Sequence, residues 1–292
     1  MGNKNKLIKR ATRSMKILKS GKIKIEGEHI LDLAPLIKKS SKEATVSRLN
    51  GIISKEDVVL EEGGKVLNVQ TVLQSQMKTV DIQANISQSA ENYTVVVPIK
   101  KKSAIDIFDF LADGVLGDIL RSSTLASTYK KIKKEWVTLN KDDTTSFTNV
   151  MYVPDVAVFM DPDEEKLKRR AYYINVLILA LPSKDMMIDD EHPKISNEDA
   201  SARTIADILD ASIRVHAKKL IIDPFNPKVL RKDCSITASL WNEALWSNRV
   251  KEQIDDIIFS FEEESKFIVF SSKVMQGDGL KRWSIKNPDF KI

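Results

Sequence analysis

The order in which apolar runs follow one another through the second two-thirds of this chain leaves few folds open. Tyr93–Ile99, with Thr94-Val95-Val96-Val97 at its centre, then Tyr172–Leu181, then Leu220–Ile222 read as buried strands. Between them, Tyr129–Val137 has helical patterning, and Ala202–His216 places Ile205, Ile208, Leu209, Ile213 and Val215 on one helical face. Strands alternating with helices build a parallel sheet covered on both sides, so a three-layer α/β domain is expected from about Tyr93 onward. The same reading predicts helical structure through Ile105, Phe108, Leu111, Leu116, Ile119 and Leu120, and extended structure over Met151–Met160 broken at Pro154. It also predicts a helix over Ile236–Trp246, another over Val250–Phe259, and a last strand at Lys266–Phe270.

Upstream, Ile8, Ala11, Met15 and Leu18 have helical spacing and Ser20-Gly21 supplies a stop. Lys22–Ile25 and His29–Leu33 then read as a small hairpin about Glu26-Gly27, and short strands are expected at Val66–Val69 and near Thr79–Ile82. Charge is concentrated here. The chain carries +5 overall, yet Met1–Lys24 alone holds nine Lys or Arg and no acid, so the remainder stands at −4. Lys4, Lys6, Lys9, Arg10 and Arg13 make a basic arm that suits nucleic acid, anionic lipid or an acidic partner, and equally a solvated helix face.

Several classes are excluded. The longest apolar run, Ile174–Leu181, is too short to span a bilayer, and no secretory pattern opens the sequence. One cysteine, Cys234, rules out an internal disulfide and a cysteine zinc cluster, which fits a reducing, cytoplasmic setting. His29, His192 and His216 share no metal-ligand spacing, so neither a metal nor any other cofactor is expected. Trp136, Trp241 and Trp246 are expected to fill core or an interface.

The informative segment is Leu220–Asp233 followed by a helix over Ser235–Arg249: strand, loop, helix at the carboxyl end of a strand, where α/β proteins hold ligands. Loops that cradle a diphosphate with backbone N–H groups need glycine for positive φ and for close approach to the ligand. This loop has none. All ten glycines lie at or before Gly117 or at Gly277 and Gly279, leaving Asp118–Gln276 without one. Pro224 and Pro227 delete donors, and Asp223 adds negative charge where phosphate would lie. Phe225, Val229 and Leu230 offer apolar area that should be buried. Lys228, Arg231 and Lys232 remain as side-chain anion ligands.

Four blocks, in order, resemble the microbial poly(ADP-ribose) glycohydrolase family, a macrodomain-fold group with an extra amino-terminal region. Arg10-Ala11-Thr12-Arg13-Ser14-Met15-Lys16-Ile17-Leu18-Lys19-Ser20-Gly21 is similar to that family's opening helix, and Leu31-Asp32-Leu33 follows as its hairpin does. Tyr152-Val153-Pro154-Asp155-Val156-Ala157-Val158-Phe159-Met160-Asp161 is similar to its Ser-Pro-x-Val-x-Val-Phe-Arg-Asp block, and Leu220–Trp246 is the fourth. The resemblance implies a macrodomain-like three-layer α/β/α sandwich with a mixed, mainly parallel sheet. The expected division is an accessory region over 1–90, the core over 91–276 and a tail over 277–292.

The catalytic signatures of that family are where the sequence departs. Its enzymes carry a Gly-rich loop, a Gln-Glu-Glu signature whose glutamate is the general acid, and then Leu-x-Arg-Ser-Ser. Ile119-Leu120-Arg121-Ser122-Ser123 looks like the tail of that block, which sets the signature near Val115, Leu116 and Gly117. No carboxylate remains there, and a general acid must hold a proton within hydrogen-bond reach of the leaving oxygen. Asp113 and Asp118 flank the gap as fallback acids. At the second loop the family's Gly-x-Trp-Gly-x-Gly-x-Phe-Gly-Asn-Asp pattern maps onto Asp223–Asp233, with Asp223, Asn226, Lys228 and Arg231 at glycine positions and Leu230 at the aromatic one.

Three functions follow from these readings. The leading one is a catalytically inactive macrodomain-like protein that acts as a binding, scaffold or structural component through a protein partner or self-assembly, with ADP-ribose not expected as a ligand. A Lys-, Ile- and Asn-rich vocabulary, with that family's abundance in phages and large viruses, points to a viral, virion-associated origin. The second is an active glycohydrolase or ADP-ribose reader, with Asp113 or Asp118 as acid and Arg121, Asp223, Phe225, Asn226, Lys228 and Arg231 around the ligand. The third is a nucleic-acid-associated protein working through the basic arm and Lys130-Lys131, Lys133-Lys134.

Overall fold

The computed structural model describes residues 2–24, 30–49, 67–73, 93–111, 114–160, 167–188, 194–226, 228–231, 233–274 and 281–284. Helix α1 (Gly2–Ser20) ends at Gly21, whose φ of 65° turns the chain into the antiparallel hairpin β1 (Lys22–Lys24) and β2 (Ile30–Asp32). Helix α2 (Ala34–Glu43) and strand β3 (Thr45–Arg48) follow, then β4 (Asn68–Leu73) and β5 (Thr94–Lys100). The expected strand near Thr79–Ile82 lies outside the described residues.

Next come α3 (Gly114–Ser122), α4 (Leu125–Asn140), β6 (Asn149–Met160), β7 (Leu167–Leu181) and α5 (Asn197–Arg214). The carboxyl part holds β8 (Lys219–Ile222), α6 (Cys234–Leu245), α7 (Asn248–Gln253), β9 (Asp256–Phe261), α8 (Glu264–Val274) and β10 (Lys281–Ser284). Eight of these strands form one sheet in the order β10-β4-β9-β8-β5-β7-β6-β3. Neighbours from β10 to β7 are parallel, and β6 and β3 close one edge antiparallel. The fold is therefore the expected mixed, mainly parallel α/β sandwich. Its sheet draws β3 and β4 from before residue 90 and β10 from after residue 276.

Alternation along each central strand feeds two separate cores. Val96, Leu220, Ile222 and Ile257 face the layer of α5, α6 and α8, while Val95, Val97, Ile221 and Ile258 face α3 and α4. A parallel strand covered on both faces has to read as continuous apolar sequence, and β8 and β9 do.

Four expectations are corrected. Asp256–Phe261 is a strand rather than the end of a helix, and Lys266–Phe270 lies within α8 rather than in a strand. The stretch from Ala104 to Leu111 is a loop, the helix starting only at Gly114. Nor does Pro154 break β6. A register shift between Val153 and Val156 absorbs it, with Asp155 at φ 51° and its N–H donating to Asn175 Oδ1 at 3.0 Å. That bond explains the single polar residue in the apolar run of β7.

Candidate ligand-binding site

In an open parallel sheet, ligands collect beyond the carboxyl ends of the strands, here the loops that follow β5 and β8. Both loops are tied down by the helix that comes after them. In the first, the indole N–H of Trp136 on α4 donates to Ala104 O at 2.6 Å, and Phe108 stacks on Tyr129. Arg121, fully buried on α3, donates from Nη1 to Phe110 O at 2.7 Å. In the second, the indole N–H of Trp241 on α6 donates to Pro224 O at 2.8 Å, and Thr237 Oγ1 donates to Leu230 O at 3.0 Å. Trp136 and Trp241 are thus core residues, as expected, but each also satisfies a loop carbonyl that a flexible loop would leave to water.

The loop after β8 is filled from within. Phe225 is 2% exposed and packs at 5.8 Å from Phe270 and 6.1 Å from Phe261, while Leu230 is completely buried. Several backbone N–H groups at its two ends are already engaged. Asp223 Oδ1 accepts from Phe225 N at 2.9 Å, Asp223 O accepts from Asn226 N, and Asp233 Oδ1 accepts from Ser235 N and Ile236 N at the start of α6. Burial pushes the Asp223 carboxyl up, with the Phe225 N–H and Arg231 partly offsetting it. Arg231 Nε donates to Phe225 O at 3.1 Å, and Nη2 lies 3.9 Å from Asp223. A cavity of about 10 Å³ remains beneath Asp223, Arg231 and Lys266, at the lower limit for one water.

Asn226 ties the second loop to strand β5. β8 pairs with β5 only through Thr94 and Val95, because Asp223 and Pro224 turn the chain away. Beyond that point Asn226 Nδ2 donates to Pro98 O at 3.3 Å, taking the place of the missing strand.

The fallback acid Asp118 forms an ion pair with Arg121 at 2.7 Å, three residues along the same helix. Asp113 lies outside the described residues. Lys228 opens a short 3-10 turn that ends at Arg231. Of the basic arm, Lys4, Lys6, Lys9, Arg10 and Arg13 all lie on α1, where Lys6, Lys9 and Arg13 are exposed and Arg10 is buried. Burial pushes the Cys234 thiol up, the wrong direction for a nucleophile. No group of three metal-ligating side chains occurs among the described residues, and none of their helices is long and apolar enough to cross a membrane.

One charged cluster escaped the sequence reading. Lys101, at the end of β5, points into the 141–148 segment, where Nζ meets Asp143 at 2.8 Å and donates to Thr145 O and Phe147 O. Asp143 also takes Arg48, Asn149 and Thr145 as donors. Burial opposes its ionisation, but the bonds from Lys101, Thr145 and Asn149 outweigh that and hold the carboxyl well below the usual range. Nothing in the sequence named a partner for Lys101 more than forty positions away.

The architecture and the pair of strand-end loops define a macrodomain-like α/β protein. More narrowly, the fold is that of the bacterial poly(ADP-ribose) glycohydrolases. The enzyme from Thermomonospora curvata superimposes with a TM-score of 0.68 over 92% of this chain and 99% of its own, at 14% identity. The same enzyme bound to the inhibitor ADP-HPD gives 0.67. The Deinococcus radiodurans enzyme in complex with ADP-ribose gives 0.59 over 87% of this chain and 98% of its own, at 12% identity. No protein-family model and no curated protein sequence matches the chain.

Proposed function

We infer that this chain is a catalytically inactive member of the macrodomain-like architecture, an ADP-ribose-processing scaffold that works as a binding or structural component toward a protein partner or further copies of itself. One observation carries the reading: Asn226 reaches Pro98 across the strand-end gap while Phe225 and Leu230 occupy the space beneath, so the loop after β8 is part of the core. A diphosphate held by main-chain N–H groups would have to displace the carboxylates of Asp223 and Asp233 from the amides of Phe225, Ser235 and Ile236. Charge opposes the exchange, because both displaced groups are themselves anionic.

The chemistry of the first loop supports the same conclusion. Asp118 is engaged as an acceptor by Arg121, whereas glycosidic cleavage needs a carboxylic acid with a proton to give. Titration calorimetry with ADP-ribose and a release assay on poly(ADP-ribosyl)ated protein test the reading, and the expected results are no heat of binding and no released ADP-ribose. Micromolar affinity would overturn it in favour of a reader, and release of ADP-ribose in favour of an active glycohydrolase. Asp118→Asn should change neither result.

A further inference from the structure

The two helical layers of the sandwich differ sharply in charge. On one side of the sheet, α1, α2, α3 and α4 contain fifteen Lys or Arg against three acids. On the other, α5, α6, α7 and α8 contain six against seven. The basic excess is therefore a property of one layer and extends well beyond the amino-terminal arm.

Packing makes that layer continuous. Ile17 and Leu18 of α1 share an apolar cluster with Leu36 and Ile37 of α2, Ser14 Oγ of α1 donates to Arg121 O of α3, and α3 runs directly into α4. The buried stripe of α4, Leu125, Tyr129, Ile132 and Trp136, turns Lys130, Lys131 and Lys134 outward, with Lys133 beside them. On α1 the exposed residues Lys6, Lys9, Arg13 and Lys16 repeat at steps of three and four, which makes a single stripe. Lys38 and Lys42 on α2 are exposed as well.

We propose that this face, built jointly by α1, α2 and α4, binds the phosphate backbone of nucleic acid without reading its sequence. The chemistry selects that partner. The exposed cations are almost all lysines, point charges on flexible stems that neutralise a row of phosphates without fixed geometry, as backbone contact without base readout requires. A lipid surface would call for apolar side chains to enter it. The solvent faces of α2 and α4 expose no large hydrophobic residue, and α1 exposes only Ile8 and Met15.

The proposal is independent of the ADP-ribose reading, since none of these lysines lies in the strand-end loops. The test is fluorescence anisotropy on the full chain with a labelled random-sequence DNA duplex of about 30 base pairs, titrated across a range of salt. Binding with Kd of about 10⁻⁴ to 10⁻⁶ M at physiological salt is expected, log affinity falling linearly with log salt. K130E/K131E/K134E on α4 and K6E/K9E/K16E on α1 should each weaken binding and flatten the slope by roughly 0.9 for every phosphate no longer neutralised. K194E/K218E/K273E, away from that face, should leave both unchanged, and circular dichroism should show all three variants folded. Loss confined to the α1 variant would overturn the composite face. So would equal loss in all three variants, absence of duplex binding at low salt, or capture by phosphatidylserine vesicles in its place.

Discussion

The side-chain amide of Asn226 donates to the carbonyl of Pro98 at 3.3 Å, joining the loop after β8 to strand β5, 128 residues away in the chain. Pro98 has no N–H of its own, and its carbonyl faces a neighbour strand that stops at Ile222. Asn226→Ala should therefore leave a carbonyl without its partner and lower stability by about 1 kcal/mol, read as a shift of the urea midpoint at constant slope. An unchanged midpoint would mean that water replaces the amide at no cost and that the loop does not depend on β5.

Beneath that bond the apolar filling carries more free energy. Phe225→Ala is expected to cost about 3–5 kcal/mol and Leu230→Ala about 2–5 kcal/mol, since both side chains are buried and Phe225 abuts Phe261 and Phe270. Thermal unfolding measures both. If neither substitution moves the midpoint, the loop does not belong to the core.

Arg121 is a structural cation. Replacement by Met keeps the aliphatic stem but abandons Phe110 O and Asp118, and should cost about 1.5–3 kcal/mol, the range for hydrogen bonds made by a charged group. Limited proteolysis between Ala104 and Leu111 should then accelerate, as the loop loses its anchor. Equal cleavage rates would assign the anchoring to Phe108 and Trp136 alone.

The dependence on pH has two opposing parts. Asp143 is depressed below its ordinary value of 3.8, so its contribution is complete above that value and is lost as pH falls below it. Asp207 and Asp223 are raised, chiefly by burial, so each favours the fold when protonated, and that contribution declines as pH climbs from 3.8 through the raised values. Asp143→Asn should remove the acid-side fall while lowering stability at neutral pH by about 3–5 kcal/mol, because Lys101 stays buried without its counter-ion. Asp207→Asn should instead flatten the decline above that value. An acid limb that persists in Asp143→Asn would place the acid sensitivity elsewhere.

Much of the sheet was legible in the sequence because its strands carry continuous apolar runs. Val95-Val96-Val97 and Leu220-Ile221-Ile222 could hardly be anything else. The carboxyl part departs from its apolar pattern for a reason visible in its residues. Ile257-Ile258-Phe259 is too short to show a period, whereas Phe267, Phe270 and Val274 recur at helical steps around the short apolar run Ile268-Val269, which by itself has the pattern of a strand. At the candidate site, the absence of glycine was plain. What replaced its role was not, since Asn226 with Pro98, and Lys101 with Asp143, are meetings that only the folded topology arranges.

The position of β4 has a consequence for how the chain assembles. Asn68–Leu73 pairs with β9 on one side and β10 on the other, strands that begin at Asp256 and Lys281. A ribosome delivers β4 long before either neighbour exists, so Val69, Val72 and Leu73 must wait without a seat while nearly two hundred further residues are made. Pairing at such separation is slow, and an apolar strand held open meanwhile invites association with other nascent chains. Refolding from denaturant should accordingly be limited by the closing of this edge, and its yield should fall as protein concentration rises.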